Sequence, residues 1–148
     1  MPLEEIIFNF DLMESWEDRY RYVIELGRML PPLDDALKTE ATKVRGCASR
    51  VWLVSHVTAG GEAGPVRITF QGDSDAHIVR GLIAILLTAI ADKTAAEIAA
   101  MDIRAAFADL GLNDNLTPQR SNGLAAMIER VRAEARATAA GHAAAIGS

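Results

Sequence analysis

Strand-like sequence is scarce in this chain of 148 residues, and that scarcity constrains the fold more than any other feature. Val51-Trp52-Leu53-Val54-Ser55-His56-Val57 is β-branched and aromatic and runs towards Gly60-Gly61, the pattern of a strand entering a turn. Pro65-Val66-Arg67-Ile68-Thr69-Phe70 alternates with period two, which puts Val66, Ile68 and Phe70 on one face. The two runs predict an antiparallel hairpin. A lone hairpin is marginal in water, so a third strand is expected to include Val44 and lead into Cys47. So small a sheet must be covered by helices.

Helical patterns fill the rest. Residues 4–13 predict a short helix with Ile6, Ile7 and Phe10 as its apolar face. Ser15-Trp16-Glu17-Asp18 reads as a capping box, Ser15 capping and Asp18 returning the bond. The helix that follows carries Trp16, Tyr20, Val23, Ile24 and Leu30 and must stop by Pro31-Pro32. Leu33 and Leu37 are the expected anchors of the mixed segment 33–46. Gly72-Asp73-Ser74-Asp75 predicts a turn into a helix reaching about residue 92, with Asp73 or Ser74 as cap and Asp75 at the positive end of the dipole. Thr94 and Glu97 form a second capping box, and Asp102 opens a short helix ending at Gly111. Thr117-Pro118 starts the last helix, where Leu124, Met127, Ile128, Val131 and Ala135 repeat at helical spacing. From Gly141 the tail is small and expected to fray. With no repeat or linker, the prediction is one α+β domain over residues 1–148, core 4–140, with helices packed on a small antiparallel sheet of about three strands.

Composition narrows the function classes. A net charge of −5 argues against a general nucleic-acid binder, which needs basic surface to displace phosphate counterions. The longest apolar run, residues 81–91, falls short of the roughly 20 residues that span a bilayer, so no membrane association is expected. The acidic start, Met1-Pro2-Leu3-Glu4-Glu5, does not read as a secretory signal. A single cysteine cannot form an intramolecular disulfide and suits a reducing cytoplasm, the expected location.

No phosphate loop, nucleophile elbow or zincin motif occurs. His56, His77 and His142 lie far apart beside one cysteine, which is no zinc spacing, so no metal site is expected. Cys47 follows Gly46 and is flanked by Lys43, Arg45 and Arg50. Positive neighbours favour the thiolate, the form that attacks sulfur. On local grounds alone, however, a free cysteine is more often a small buried hydrophobe. Both readings stay open at this level.

Four ordered blocks go further. They are Lys43-Val44-Arg45-Gly46-Cys47-Ala48-Ser49-Arg50-Val51-Trp52, Gly72-Asp73-Ser74-Asp75-Ala76, Ile78-Val79-Arg80-Gly81-Leu82-Ile83-Ala84 and Leu116-Thr117-Pro118-Gln119-Arg120-Ser121. Together they resemble the SufE family, the sulfur-acceptor proteins of iron–sulfur cluster assembly, and the likeness extends over about residues 15–135. The resemblance implies the α+β fold shared with IscU-type scaffolds. It implies a partner cysteine desulfurase of the SufS type, whose own pyridoxal phosphate takes sulfur from cysteine, so that this chain needs no cofactor. Sulfur would be accepted on Cys47, stimulating the desulfurase, and passed to a downstream cluster scaffold; the chain itself would be a carrier, not an enzyme.

Candidate loop and partner-docking residues are Arg45, Gly46, Arg50, Asp75 and Arg120, the last two matching positions linked in the family to partner engagement. Those last two each have a plainer reading. Asp75 can serve as a helix N-terminal charge worth ~0.3–1 kcal/mol, and Arg120 as a salt-bridging residue, although a cation there opposes the dipole. Ala48 and Arg50 stand where the family pattern has glutamines. The Cys47 side chain is expected to be shielded at rest by Val44 and Val51-Trp52-Leu53, and freed when a partner binds. Burial would raise its pKa and the three cations lower it. The competing functions are an IscU-type scaffold, disfavoured because clusters usually take several thiolates, and an adaptor that activates a partner without accepting sulfur.

Overall fold

A computed structural model describes residues 2–59 and 64–147 of the chain, residues 142–147 as backbone only. Two helices come first, α1 (Leu3–Leu12) and α2 (Trp16–Arg28), then the hairpin strands β1 (Val51–Thr58) and β2 (Arg67–Ser74). Four helices follow: α3 (His77–Ile90), α4 (Ala95–Ala100), α5 (Ile103–Asp109) and α6 (Pro118–Gly147). The expected Gly60-Gly61 turn lies outside the described residues.

Local chemistry sets most helix starts. Ser15 Oγ accepts the Asp18 N–H at 3.1 Å, but Asp18 returns no bond; its carboxylate faces Arg21 at 3.7 Å instead. The Thr94–Glu97 box is complete, with bonds of 3.1 and 2.9 Å. Asp102 caps α5, and Gly111, at φ 71°, ends it in the left-handed region that glycine tolerates. Thr117 Oγ1 accepts the Arg120 N–H at 3.3 Å ahead of Pro118. The α6 backbone stays helical to Gly147, past the point where the sequence predicts a frayed tail.

The sheet differs from expectation at both edges. β1 and β2 pair from Val51↔Ser74 to Thr58↔Arg67, burying Val51 and Leu53 with Val66, Ile68 and Phe70 on the core side. The ladder thus carries β2 through Gly72, Asp73 and Ser74, which are strand and not turn. Neither Asp73 nor Ser74 caps α3; its N-cap is Ala76, without a side-chain bond, and Asp73 forms ion pairs with Arg80 and Lys38. The third strand shrinks to a single bridge, Lys43↔Trp52, flanked by Val44 N–H to Val51 O and Leu53 N–H to Thr42 O. The chain turns off at Gly46, so the ladder cannot lengthen. In the preceding segment Leu33 is buried but Leu37 is exposed.

α3 is the hub. It packs on α2, on β2 and on the later helices, and it is buried nearly all round through Val79, Leu82, Ile83, Ile85, Leu86 and Ile90. Its crossing with α2 is backbone-close: a Cβ at Gly81 would lie 2.0 Å from Val23 O. Only glycine permits that approach. Among the described residues no helix is long and apolar enough to cross a membrane.

Candidate functional site

Residues 45–50 form the loop between the Val44–Val51 backbone bond and the start of β1. Gly46 sits at φ 91°, a conformation that side-chain-bearing residues rarely adopt. That turn directs Cys47 inward. Its thiol donates a long hydrogen bond of 3.6 Å to Gly123 O on α6, and the residue is half-buried. A Cβ on Gly123 would fall 3.6 Å from Sγ, in ordinary contact, so the α6 backbone itself forms the wall against which the sulfur rests.

A pocket of about 100 Å³ adjoins the sulfur. Val79 and Leu82 of α3 and Leu124 and Met127 of α6 supply its apolar lining, and Thr117 and Arg120 approach from the α6 start. The shield is therefore tertiary. Val51 contributes as expected, but Val44, Trp52 and Leu53 do not line the pocket.

Burial pushes the Cys47 pKa up. Of the two opposed effects that the sequence leaves open, burial and the cations Lys43, Arg45 and Arg50, burial sets the direction. Arg45 and Arg50 are exposed to water, which screens them, and Lys43 and Arg45 line a separate groove with Arg130 and Glu129. The resting thiol is protonated near neutrality. The small thiolate fraction is the nucleophilic one.

The loop's far end is clamped. Asp75 Oδ1 accepts the Arg50 N–H at 3.0 Å, and Ser74 Oγ donates to Arg50 O at 2.7 Å. Asp75 therefore bonds back to the loop, and is more than a charge at the α3 start. Arg120 is exposed at the pocket rim, its guanidinium without a partner among the described residues. Of the expected set, Cys47 and Arg120 meet at the pocket, and Gly46 makes the turn that brings the sulfur there. Asp75 and Arg50 meet at the loop base, and Arg45 stands apart. Sequence reasoning missed Gly123 and Ser74. An isolated glycine inside an apolar helical pattern marks close packing, which was the available signal for Gly123. Among the described residues no group of three His, Cys, Asp or Glu side chains gathers to hold a metal ion.

Comparison with known proteins gives a consistent family. The model of the SufE family, described as an Fe-S metabolism associated domain, matches residues 4–135. An uncharacterized SufE-like protein of Rhizobium etli is 54% identical over 138 residues, covering 93% of this chain and 92% of that protein. An uncharacterized SufE-like protein of Rhizobium meliloti is 50% identical over 133 residues, covering 90% of this chain and 94% of its own. The solution structure of a hypothetical protein from Thermus thermophilus shares the fold at a TM-score of 0.66 and 22% identity, covering 92% of this chain and 94% of that one. With the family model spanning most of its length and two relatives matched nearly end to end, this chain belongs to the SufE family, whose domain is associated with iron–sulfur metabolism.

Proposed function

We propose that the protein is a sulfur acceptor and carrier in iron–sulfur cluster assembly, and that Cys47 is the atom-carrying residue. The observation that supports this most directly is the placement of Cys47: a loop cysteine with its sulfur turned into a pocket that has room beside it. The Cys47 thiolate attacks the outer sulfur of a persulfide on a SufS-type cysteine desulfurase. A new S–S bond forms on Cys47, the partner's S–S bond breaks, and the partner's cysteine leaves as a thiolate. Cys47 then holds a persulfide, which a thiol of the downstream scaffold removes by the same exchange. Pyridoxal phosphate chemistry belongs to the desulfurase, and the transfer as written needs no cofactor on this chain. A reducing cytoplasm, where a lone thiol stays free, is the fitting compartment.

Half-burial gives the carrier a reason to hold sulfur inward, since an exposed persulfide exchanges with solution thiols. Delivery then requires the loop to swing out on the partner. The test is intact-mass analysis after incubation with a desulfurase and cysteine. The wild-type chain gains one sulfur atom, and Cys47→Ser, which has no other thiol, gains none. Desulfurase stimulation that survives undiminished in Cys47→Ser, with no sulfur on the wild type, would establish the adaptor function in its place.

A further inference from the structure

The near end of the Cys47 loop is held as firmly as the far end, by a residue outside all four sequence blocks. At the Lys43↔Trp52 bridge, Thr42 O and Val44 N–H face β1. Ala41 and Thr42 belong to a turn closed by Lys43 N–H to Thr39 O at 3.0 Å, which leaves Ala41 O and Lys43 O to be met from α6. There Arg130 Nη2 donates to Ala41 O at 2.8 Å and Nη1 to Lys43 O at 3.3 Å. Its Nε donates to Glu134 Oε2 at 3.0 Å, and Glu134 Oε1 in turn accepts from Ser55 Oγ of β1 at 2.9 Å. All three guanidinium nitrogens are used, and the pair is partly shielded, at 29% and 28% side-chain exposure.

Helix geometry connects this clamp to the sulfur. Gly123 and Arg130 lie seven positions apart on α6, two turns on one face, a rigid spacing of about 10 Å. One helix face therefore carries both the wall against which Cys47 rests and the clamp on the strand that leads into Cys47. We propose that Arg130, braced by Glu134, is a positioning residue for Cys47: it covers the open edge at residues 41–43, fixes the loop's entry on α6 and so keeps the sulfur in its pocket. A lysine cannot replace it, because a point charge on a flexible stem does not span two carbonyls and a carboxylate in one plane. The nearby Arg136–Glu129 pair is the natural contrast. It is 53% and 63% exposed and bonds to nothing in the loop.

The inference rests on Cys47 as the reacting sulfur, but its test reads the thiol of the free protein, so its outcome is independent of whether sulfur transfer is found. Cys47 alkylation by iodoacetamide is followed against pH for wild type, Arg130→Met, Arg130→Lys and Arg136→Met, with thermal melts alongside. Arg130→Met and Arg130→Lys are expected to react at least about threefold faster near neutrality, with the titration midpoint moved down as burial is lost. Arg136→Met is expected to match wild type in both. A folded Arg130→Met whose Cys47 keeps the wild-type rate and pH profile overturns the proposal. So does a rise that an equally destabilised core variant, Ile128→Val, reproduces. Should Arg130→Met fail to fold, Ser55→Ala removes only the brace on Glu134; faster alkylation there supports the clamp, and an unchanged rate and profile overturns it.

Discussion

Asp75 and Arg50 exchange two hydrogen bonds, Arg50 N–H to Asp75 Oδ1 at 3.0 Å and Asp75 N–H to Arg50 O at 3.3 Å. The pair joins the exit of the Cys47 loop to the junction of β2 and α3. The fold uses the backbone of residue 50, and the arginine side chain there is exposed. Asp75 contributes an acceptor to the loop as well as a charge near the α3 start.

Asp75→Ala is accordingly expected to cost about 0.5–1.5 kcal/mol in urea denaturation, the usual net worth of one hydrogen bond. Asp75→Asn keeps an acceptor oxygen and should lose distinctly less. Equal losses in the two variants would mean that the negative charge, not the bond to Arg50, is what stabilises.

Arg120 presents the opposite case. Its guanidinium is exposed at the pocket rim without a partner among the described residues, so Arg120→Ala should change stability by no more than about 0.5 kcal/mol. A clear fall in desulfurase stimulation per folded molecule is expected all the same. Unchanged stimulation would remove Arg120 from the docking surface.

Two glycine substitutions should move stability in opposite directions. Gly81→Ala puts a Cβ 2.0 Å from Val23 O, and backbone cannot yield as a side chain can, so a loss of about 3 kcal/mol or more is expected. Gly123→Ala meets Cys47 Sγ at 3.6 Å and nothing closer, so the helix-propensity gain of up to about 1 kcal/mol should prevail. Melting temperatures decide both; a destabilised Gly123→Ala would show that the sulfur's wall tolerates no filling.

Burial of the Cys47 thiol fixes the sign of two pH effects. Because the folded pKa is raised, the associated stability is complete below the unfolded pKa, about 8.5, and is lost as pH rises through the folded value. Alkylation of the folded protein should therefore climb roughly tenfold per pH unit from neutrality and still be climbing where the denatured protein has levelled off. A plateau below about pH 8 would mean a thiol activated by its cationic neighbours. A catalytically dead desulfurase that leaves the loop accessible should accelerate reaction with a bulky maleimide, as expected of a loop that opens on its partner.

Much of this molecule is legible locally. Ser15, Thr94, Asp102 and Thr117 mark helix starts because a capping oxygen needs only the next turn of chain. The alternation of Val66, Ile68 and Phe70 assigns the buried face because pleating has a period of two. The four ordered blocks carried the family and singled out Cys47. What those signals could not supply was reach across the chain. The β2 ladder runs on to Ser74 because Val51 pairs with it there, which removes both expected caps of α3. Positive residues beside Cys47 in sequence do not line the pocket that holds its sulfur, since Gly46 turns the chain at φ 91° and Arg45 and Arg50 remain in water. Sequence by itself determined which residues form helices and which form the hairpin, because those depend on neighbours within a turn or a pleat, and it offers Cys47 as the one thiol for the proposed transfer. Tertiary structure alone decided that the sulfur is held by Gly123, 76 residues away, and that its acidity is governed by burial, because desolvation depends on what packs around an atom and not on what precedes it in the chain.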